Sequence, residues 1–385
     1  MILSQDARRQ INKALVPSEI LEKGCTEELR ATFHPSSGIL NIFPCDVPLV
    51  GEAFLKGCCD YPECRQGDGA TYDFRIVVDE NDERSVLFRG TRYEAHAYDL
   101  VQSVFSRNGG LIESNMMASK AVAIFGCGSV GSLVALTLAR VGVGHFLLVD
   151  NDVLEYHNIC RHQCGIHEVG EFKVDALRAR ILDINPTARV EVCATLAEYV
   201  QKESWDRWVG EKRALCVGCA DNREADVYVS DLCLYYSAPF LSIGFWERAF
   251  AGEIFYWLPD SKMACYKCAL GDGSFDGRNS ASRRLYTTQE NLEDVHFEPG
   301  IAADIDFVTN IGIKVAIDIL NIGNDGFTQR LLPELQQYTL VCNTNNPAIG
   351  GEMAEIFSYP LQVTTSLKVS PLPGCDCCGE GGGHE

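Results

Sequence analysis

The chain has 385 residues, 46% of them hydrophobic and 22% charged, the balance of a globular protein with room for two or three domains. Its net charge of −20 argues against nucleic acid as a partner, because phosphate binding needs a basic face; a basic protein partner stays open. No run of about 18 apolar residues is free of charges or glycine breaks, so a membrane span is not expected.

The first segment, MILSQDARRQINKAL, places Asp6 and paired arginines where a secretory signal needs an apolar centre. A cytoplasmic location is the expectation. Residues 1–117 read as a smaller α+β module with a helical linker. It mixes a turn-rich, cysteine-bearing loop (KGCCDYPECRQGDGATYD) with a hairpin, YDFRIVVDE and RSVLFRG flanking the turn NDE. The segment EAHAYDLVQSVFSRNGGLIESN has apolar residues at three- and four-residue spacing and reads as helix.

From Lys120 the texture becomes α/β, and residues 118–385 read as a second domain. AVAIFG is a buried parallel strand, SLVALTLARVG a helix ended by glycine, and HFLLVD a second strand. KVDALRARILDIN is an amphipathic helix stopped by Pro186, and RVEVCAT, RALCVGC and PFLSIGF are further strands. SDLCLYYSA and FVTNIGIKVAIDILN read as helices, while GEIFYWLP, LQQYTLVCNT and AEIFSYPLQVTT are late, antiparallel strands. The predicted fold is a Rossmann-like, doubly wound, largely parallel sheet that binds its ligand at the carboxyl ends of the strands.

Gly126-Cys127-Gly128-Ser129-Val130-Gly131 fits G-x-G-x-x-G between a strand and a helix. The first glycine permits the tight turn, the second lets the backbone approach phosphate, and the third lets the helix pack close. Asp150 ends the next strand, roughly 20 residues on, where a carboxylate accepts from ribose hydroxyls. The motif alone does not choose between NAD and ATP. Beyond it stand Asp152, Asn158, Arg161 and Lys173, and a hydride-transfer site gains little from so many charges near the phosphates. Cleaving ATP between its α and β phosphates needs them, because charge builds on the phosphoryl oxygens. It also needs a carboxylate for Mg²⁺, and Asp221, at another strand's carboxyl end, is placed for that or for capping the following helix.

Most of the 18 cysteines lie in apolar segments, where buried free thiols are expected. Cys265-x-x-Cys268 and Cys375-x-x-Cys378 do not, and four thiolates close one tetrahedral Zn²⁺ site of structural type. Cys377 is an alternative ligand to Cys378. Cys58, Cys59 and Cys64 lack partners at metal-binding spacing and read as incidental loop thiols.

The segments GCGSVGS, LLVDNDVLEYHNICRHQ, VGEFKVDALRARILDINP and GCADNREAD, with the two Cys-x-x-Cys elements, resemble the adenylating enzymes for ubiquitin-like proteins. These are the ubiquitin-activating superfamily with its bacterial, ThiF- and MoeB-like members. The match runs from about Ser119 to the C-terminus, and a bacterial member with an extra N-terminal domain is the expectation. The resemblance implies ATP with Mg²⁺, and adenylation of the C-terminal glycine carboxylate of a small β-grasp protein, for conjugation or sulfur transfer. By the same resemblance Gly126, Gly128, Ser129 and Gly131 form the phosphate turn, Asp150 binds ribose, and Asn158, Arg161 and Lys173 meet the phosphates. Asp152 and Asn222 line the nucleotide, Asp221 holds Mg²⁺, and Arg107 in VFSRNGGL is given to the site of a partner subunit in a homodimer. A conjugating enzyme is a further possible partner.

Two departures stand out. His162 occupies the place where the family has glutamine, and no cysteine lies between Ala269 and Thr309, where thioester-forming members carry one; Ala302 is near that place. An enzyme that stops at the adenylate, a thiol supplied from elsewhere and a substituted cysteine all stay open. An NAD-dependent oxidoreductase and a catalytically silent scaffold subunit are the competing functions.

Overall fold

A computed structural model describes residues 12–47, 54–62, 64, 71–221, 223–246, 249–270, 300–343, 364–375 and 377–378. The chain divides into two compact units, Met1–Arg107 and Asn108–Glu385.

The first unit contains β1 (Lys13–Pro17), α1 (Ser18–Lys23), β2 (Leu29–His34), β3 (Ile39–Ile42) and β4 (Leu55–Asp60). After them come β5 (Phe74–Val78), β6 (Arg84–Phe88), β7 (Thr91–Tyr98) and α2 (Leu100–Phe105). The strands close a barrel in the order β1-β3-β2-β4-β5-β6-β7, with β7 returning to pair in parallel with β1. Alternate residues point inward, so Ala14, Val16, Leu29, Leu40, Ile42, Phe74, Ile76 and Val86 form its core. The hairpin is β5–β6, as expected. Two segments differ from their sequence reading. Cys58 and Cys59 lie in β4, not in a loop, and the first part of EAHAYDLVQ is strand because Glu94–Tyr98 pair with β1. Closing a barrel satisfies a whole edge of backbone groups, which outweighs a short helical periodicity.

The second unit runs α3 (Ser114–Ala118), β8 (Ala121–Phe125), α4 (Ser129–Arg140), β9 (His145–Val149), α5 (Lys173–Ile184) and β10 (Arg189–Cys193). It continues with α6 (Lys202–Trp205), β11 (Leu215–Gly218), α7 (Arg223–Tyr236), β12 (Phe240–Phe245) and β13 (Ala251–Trp257). α8 (Tyr266–Leu270), α9 (Ala302–Leu320), β14 (Tyr338–Cys342) and β15 (Thr364–Leu367) complete it. Most of AEIFSYPLQVTT lies outside the described residues.

The eight strands form one sheet ordered β10-β9-β8-β11-β12-β13-β14-β15, parallel from β10 to β12 and antiparallel beyond. The doubly wound sheet with late antiparallel strands is the predicted fold. Every residue of β8 is buried, as a strand covered by helices on both faces requires. The chain leaves β8 toward β9 on one side and returns to β11 on the other. The carboxyl ends of β8 and β11 therefore form the switch point, where a crevice opens.

One buried carboxylate holds the far end of α9. Asp318 is fully buried, and one of its oxygens accepts the backbone N–H groups of Arg330, Leu331 and Leu332 at 2.9, 2.6 and 2.9 Å. Asp318→Ala leaves three donors without their acceptor. It is expected to destabilise this unit by about 3 kcal/mol or more, read as a lowered midpoint in chemical denaturation.

Candidate nucleotide site and metal centre

β8 ends at Phe125 and Gly126 turns with φ of 89°, in the left-handed region that favours glycine. Steric limits then fix what surrounds the turn. A Cβ on Gly126 would stand 2.7 Å from the Ala220 nitrogen, and one on Gly131 would stand 1.9 Å from the Gly126 carbonyl oxygen. Without those carbons the N-terminus of α4 seats directly on the turn, and the loop leaving β11 packs against it. A Cβ on Gly128 would meet nothing within 4 Å, so this side of the turn is open to a phosphate facing the start of α4. Ser129 is the first residue of that helix.

Three polar groups brace the turn. Asp150, just past β9, accepts the Cys127 N–H at 2.6 Å on one oxygen and the Asp152 N–H at 2.8 Å on the other. Burial raises its carboxyl above the usual range, against the lowering effect of those two hydrogen bonds. Each oxygen keeps a second lone pair, which leaves Asp150 able to accept from a ribose hydroxyl. Lys173, the first residue of α5, is buried, and its ammonium donates to Asp152 at 2.7 Å. Its backbone is pinned too, Lys173 N–H to Asp152 O at 2.9 Å, beside a bridge between Val153 and Phe172.

The third brace is His162, which the sequence marked only as a departure. It is 7% exposed, with Nε2 2.8 Å from the Cys127 carbonyl and Nδ1 accepting the Cys164 N–H at 3.0 Å. An Nδ1 that accepts carries no proton, so the neutral ring bears its hydrogen on Nε2 and donates it to the turn. The sequence held no signal for this, because the contact joins residues 35 apart.

The remaining candidates fall as follows. Asn158 closes the turn Tyr156–Asn158 by accepting the Glu155 N–H at 2.9 Å, and half-buried Arg161 follows, its N–H on the Asn158 carbonyl at 3.0 Å. Asp221 is exposed, one residue beyond the Ala220 backbone that touches Gly126. Asn222 lies outside the described residues. Arg107 is exposed in the turn Ser106–Asn108, at the end of the first unit.

Beneath the β11 loop lies a polar cluster that sequence reasoning missed. Asp226, in the first turn of α7, is pushed up to about 7 by burial and accepts from Ser242 Oγ at 2.6 Å. A Cβ on Gly218 would fall 2.4 Å from its Oδ1, so the carboxyl sits directly against the end of β11. Glu253 on β13, 2% exposed, accepts from Trp246 Nε1 at 2.9 Å and from the Tyr338 hydroxyl, and pairs with Arg223 at the start of α7.

The sulfurs of Cys265, just before α8, of Cys268 on α8, and of Cys375 and Cys378 on the C-terminal tail lie within 4.8 Å of one another. Neighbouring sulfurs are 3.7, 3.7, 3.5 and 3.8 Å apart. A tetrahedral ion with metal–sulfur bonds of about 2.3 Å sets its ligand sulfurs about 3.8 Å apart, so the quartet fits a four-thiolate metal. Cys377 is outside it: its sulfur lies 3.4 Å from Lys267 Nζ and 3.6 Å from Asp231. Among the described residues this is the one cluster with metal-binding geometry. No helix among them is long and apolar enough to cross a membrane.

A doubly wound sheet with a glycine turn at its switch point, braced by buried polar groups, defines a nucleotide-binding α/β domain. The chain belongs to the ThiF family, whose model matches residues 105–346. Relatives named ubiquitin-like modifier-activating enzyme 5 share with it 32% identity over 171 residues in Caenorhabditis briggsae and 33% over 158 in Gallus gallus. These cover 42% and 38% of this chain, and the chain spans only 39% of each relative's length. Among solved structures, E. coli MccB with succinimide aligns at a TM-score of 0.51 and 18% identity, over 72% of this chain and 74% of that one. This likeness bears on the fold alone.

The geometry of His162 carries a pH dependence. Burial lowers its pKa, so below about pH 6.5 the unfolded chain takes up a proton that the folded ring resists, and stability falls. His162→Gln keeps a donor for the Cys127 carbonyl and does not titrate. Thermal midpoints followed from pH 7.5 to 5 are expected to drop more steeply for the wild type than for the variant; parallel curves would refute the lowered pKa of the buried ring.

Proposed function

We propose that this chain adenylates the C-terminal glycine carboxylate of a small ubiquitin-like β-grasp protein at the expense of ATP, with release of pyrophosphate. The observation that carries the reading is the convergence of the glycine turn, buried Lys173 and the Asp221 loop at one switch point. The names of the relatives support it.

The chemistry brings an anionic carboxylate onto an anionic α-phosphate. The nucleophile is already ionised, so no general base is needed; what is needed is positive charge around the phosphates. Lys173 supplies it from a desolvated position, Arg161 from the adjoining turn and Arg107 from the second protomer of a homodimer, while the neutral Asn158 amide meets the phosphates as a hydrogen-bond donor. Asp150 orients the ribose, with Asp152 and Asn222 lining the nucleotide, while the start of α4 holds the phosphates. Asp221 would hold Mg²⁺, which neutralises phosphate charge when bound. A hydride-transfer site has no use for this cation set, which weighs against NAD. A silent scaffold has no use for it either. This reading covers the chemistry up to the acyl-adenylate; no cysteine lies from Ala269 to Thr309 to carry the acyl group onward, and a thiol from elsewhere stays open. The four thiolates would hold Zn²⁺ in a structural role, since they leave no open coordination position. The barrel unit is then free to dock the modifier or a conjugating enzyme, and the enzyme would work in the cytoplasm.

ATP–pyrophosphate exchange tests the activity. Exchange is expected only with a small partner ending in glycine, and Asp221→Ala or Lys173→Ala is expected to lower it roughly 100-fold or more. Exchange that survives Asp221→Ala, or none with any such partner, counts against the assignment.

Metal analysis is expected to find one zinc per chain, lost along with thermal stability when Cys265→Ser and Cys268→Ser are combined. A metal-free protein, or an unchanged melting curve for the double variant, refutes the structural zinc.

A further inference from the structure

The barrel unit holds five cysteines, and their environments differ. Cys58, Cys59 and Cys64 are buried, and burial pushes Cys59 up to about 12. Cys25 is half-exposed and Cys45 exposed. These last two, 20 residues apart in sequence, have their sulfurs 2.9 Å apart, closer than any neighbouring pair in the four-cysteine cluster of the other unit. Both line an open cleft of about 350 Å³ between the end of α1 and the loop after β3, with Lys23, Pro44 and Asp46 beside them.

We propose that Cys25 and Cys45 are a redox-active dithiol, a site at which a peroxide converts two free thiols into a reversible disulfide. The proposal rests on the sulfur contact and its exposure, and is independent of the adenylation reading. The roles of the two sulfurs follow from their partners. Cys25 Sγ accepts the Glu27 N–H at 3.4 Å, and the proposal gives it the attacking role, with Cys45 as the S–H donor of the pair. Burial, the hydrogen bond to Cys25 and the nearby charges of Cys25 and Glu27 hold the Cys45 proton on. Cys25 thiolate attacks one oxygen of hydrogen peroxide; the O–O bond breaks, hydroxide leaves and takes a proton to become water, and Cys25 becomes a sulfenic acid. Cys45, losing its proton as it attacks, displaces the sulfenic hydroxyl as a second water and forms the S–S bond. Two thiols are oxidised by two electrons, and one peroxide is reduced to two waters. The remaining approach to a disulfide of about 2.05 Å is about 0.9 Å. Cys160 gives the contrast: it is exposed, but its sulfur contacts the His157 carbonyl at 3.4 Å rather than a thiol.

The full-length protein is treated with equimolar hydrogen peroxide, remaining thiols are alkylated, and peptides are mapped by mass spectrometry without reduction. A Cys25–Cys45 linked peptide is expected, reversed by dithiothreitol and formed at least about tenfold faster than any bridge to Cys58, Cys59 or Cys64. Cys45→Ser is expected to leave a dimedone-reactive sulfenic acid on Cys25, as on Cys160 in the wild type. The proposal is overturned if both thiols are still alkylated once Cys160 is oxidised, or if Cys25 pairs first with a buried cysteine. Unchanged melting of Cys25→Ser and Cys45→Ser separates loss of the bridge from loss of the fold.

Discussion

The absence of a side chain at Gly126 and Gly131 is the constraint on which the rest of the second unit depends. A methyl group at Gly131 would occupy the Gly126 carbonyl, and one at Gly126 would strike the backbone leaving β11. Only with both removed do three pieces of backbone meet at one point: the end of β8, the start of α4 and the loop carrying Asp221. The dipole of α4 then faces the crevice at the switch point. No side chain supplies that convergence. It follows from how closely peptide groups approach when nothing stands between them.

Around the turn the braces are polar and mostly buried, which is a costly arrangement unless each group is matched. Asp150 meets two N–H groups, Lys173 meets Asp152, and His162 meets one carbonyl and one N–H. The family's usual glutamine and the histidine found here can do the same physical job, since each presents a donor to the turn's carbonyl. The substitution brings a proton equilibrium that glutamine lacks. Asp226 nearby titrates in the opposite sense, because burial raises its pKa and so favours the protonated form in the folded chain.

The antiparallel half of the sheet has its own fastenings. Glu253 draws β13, β14 and the start of α7 together through Tyr338 and Arg223. The four-cysteine cluster ties the tail to α8, so that residues more than a hundred positions apart share one small volume. A metal there closes a long loop, which is where a cross-link restrains the unfolded chain most. The barrel unit, by contrast, is held by strand pairing and an alternating core, against whose edge half-buried Cys25 packs while Cys45 stays exposed.

Much of this protein was legible without coordinates, because the relevant signals are local. Strand–turn–helix order, the glycine spacing, Asp150 after β9 and Lys173 opening α5 all follow from short-range pattern, as do the paired Cys-x-x-Cys elements. Where the reading erred, a long-range pairing overrode a local preference: Glu94–Tyr98 became strand because β1 lay waiting as a parallel partner. The tertiary structure alone decided that Cys378 and not Cys377 completes the quartet, that His162 braces the glycine turn, and that Cys25 stands against Cys45. Each of these depends on two residues far apart in sequence arriving within a few ångströms. Residue type and spacing can propose such a meeting, but only the packed backbone brings it about.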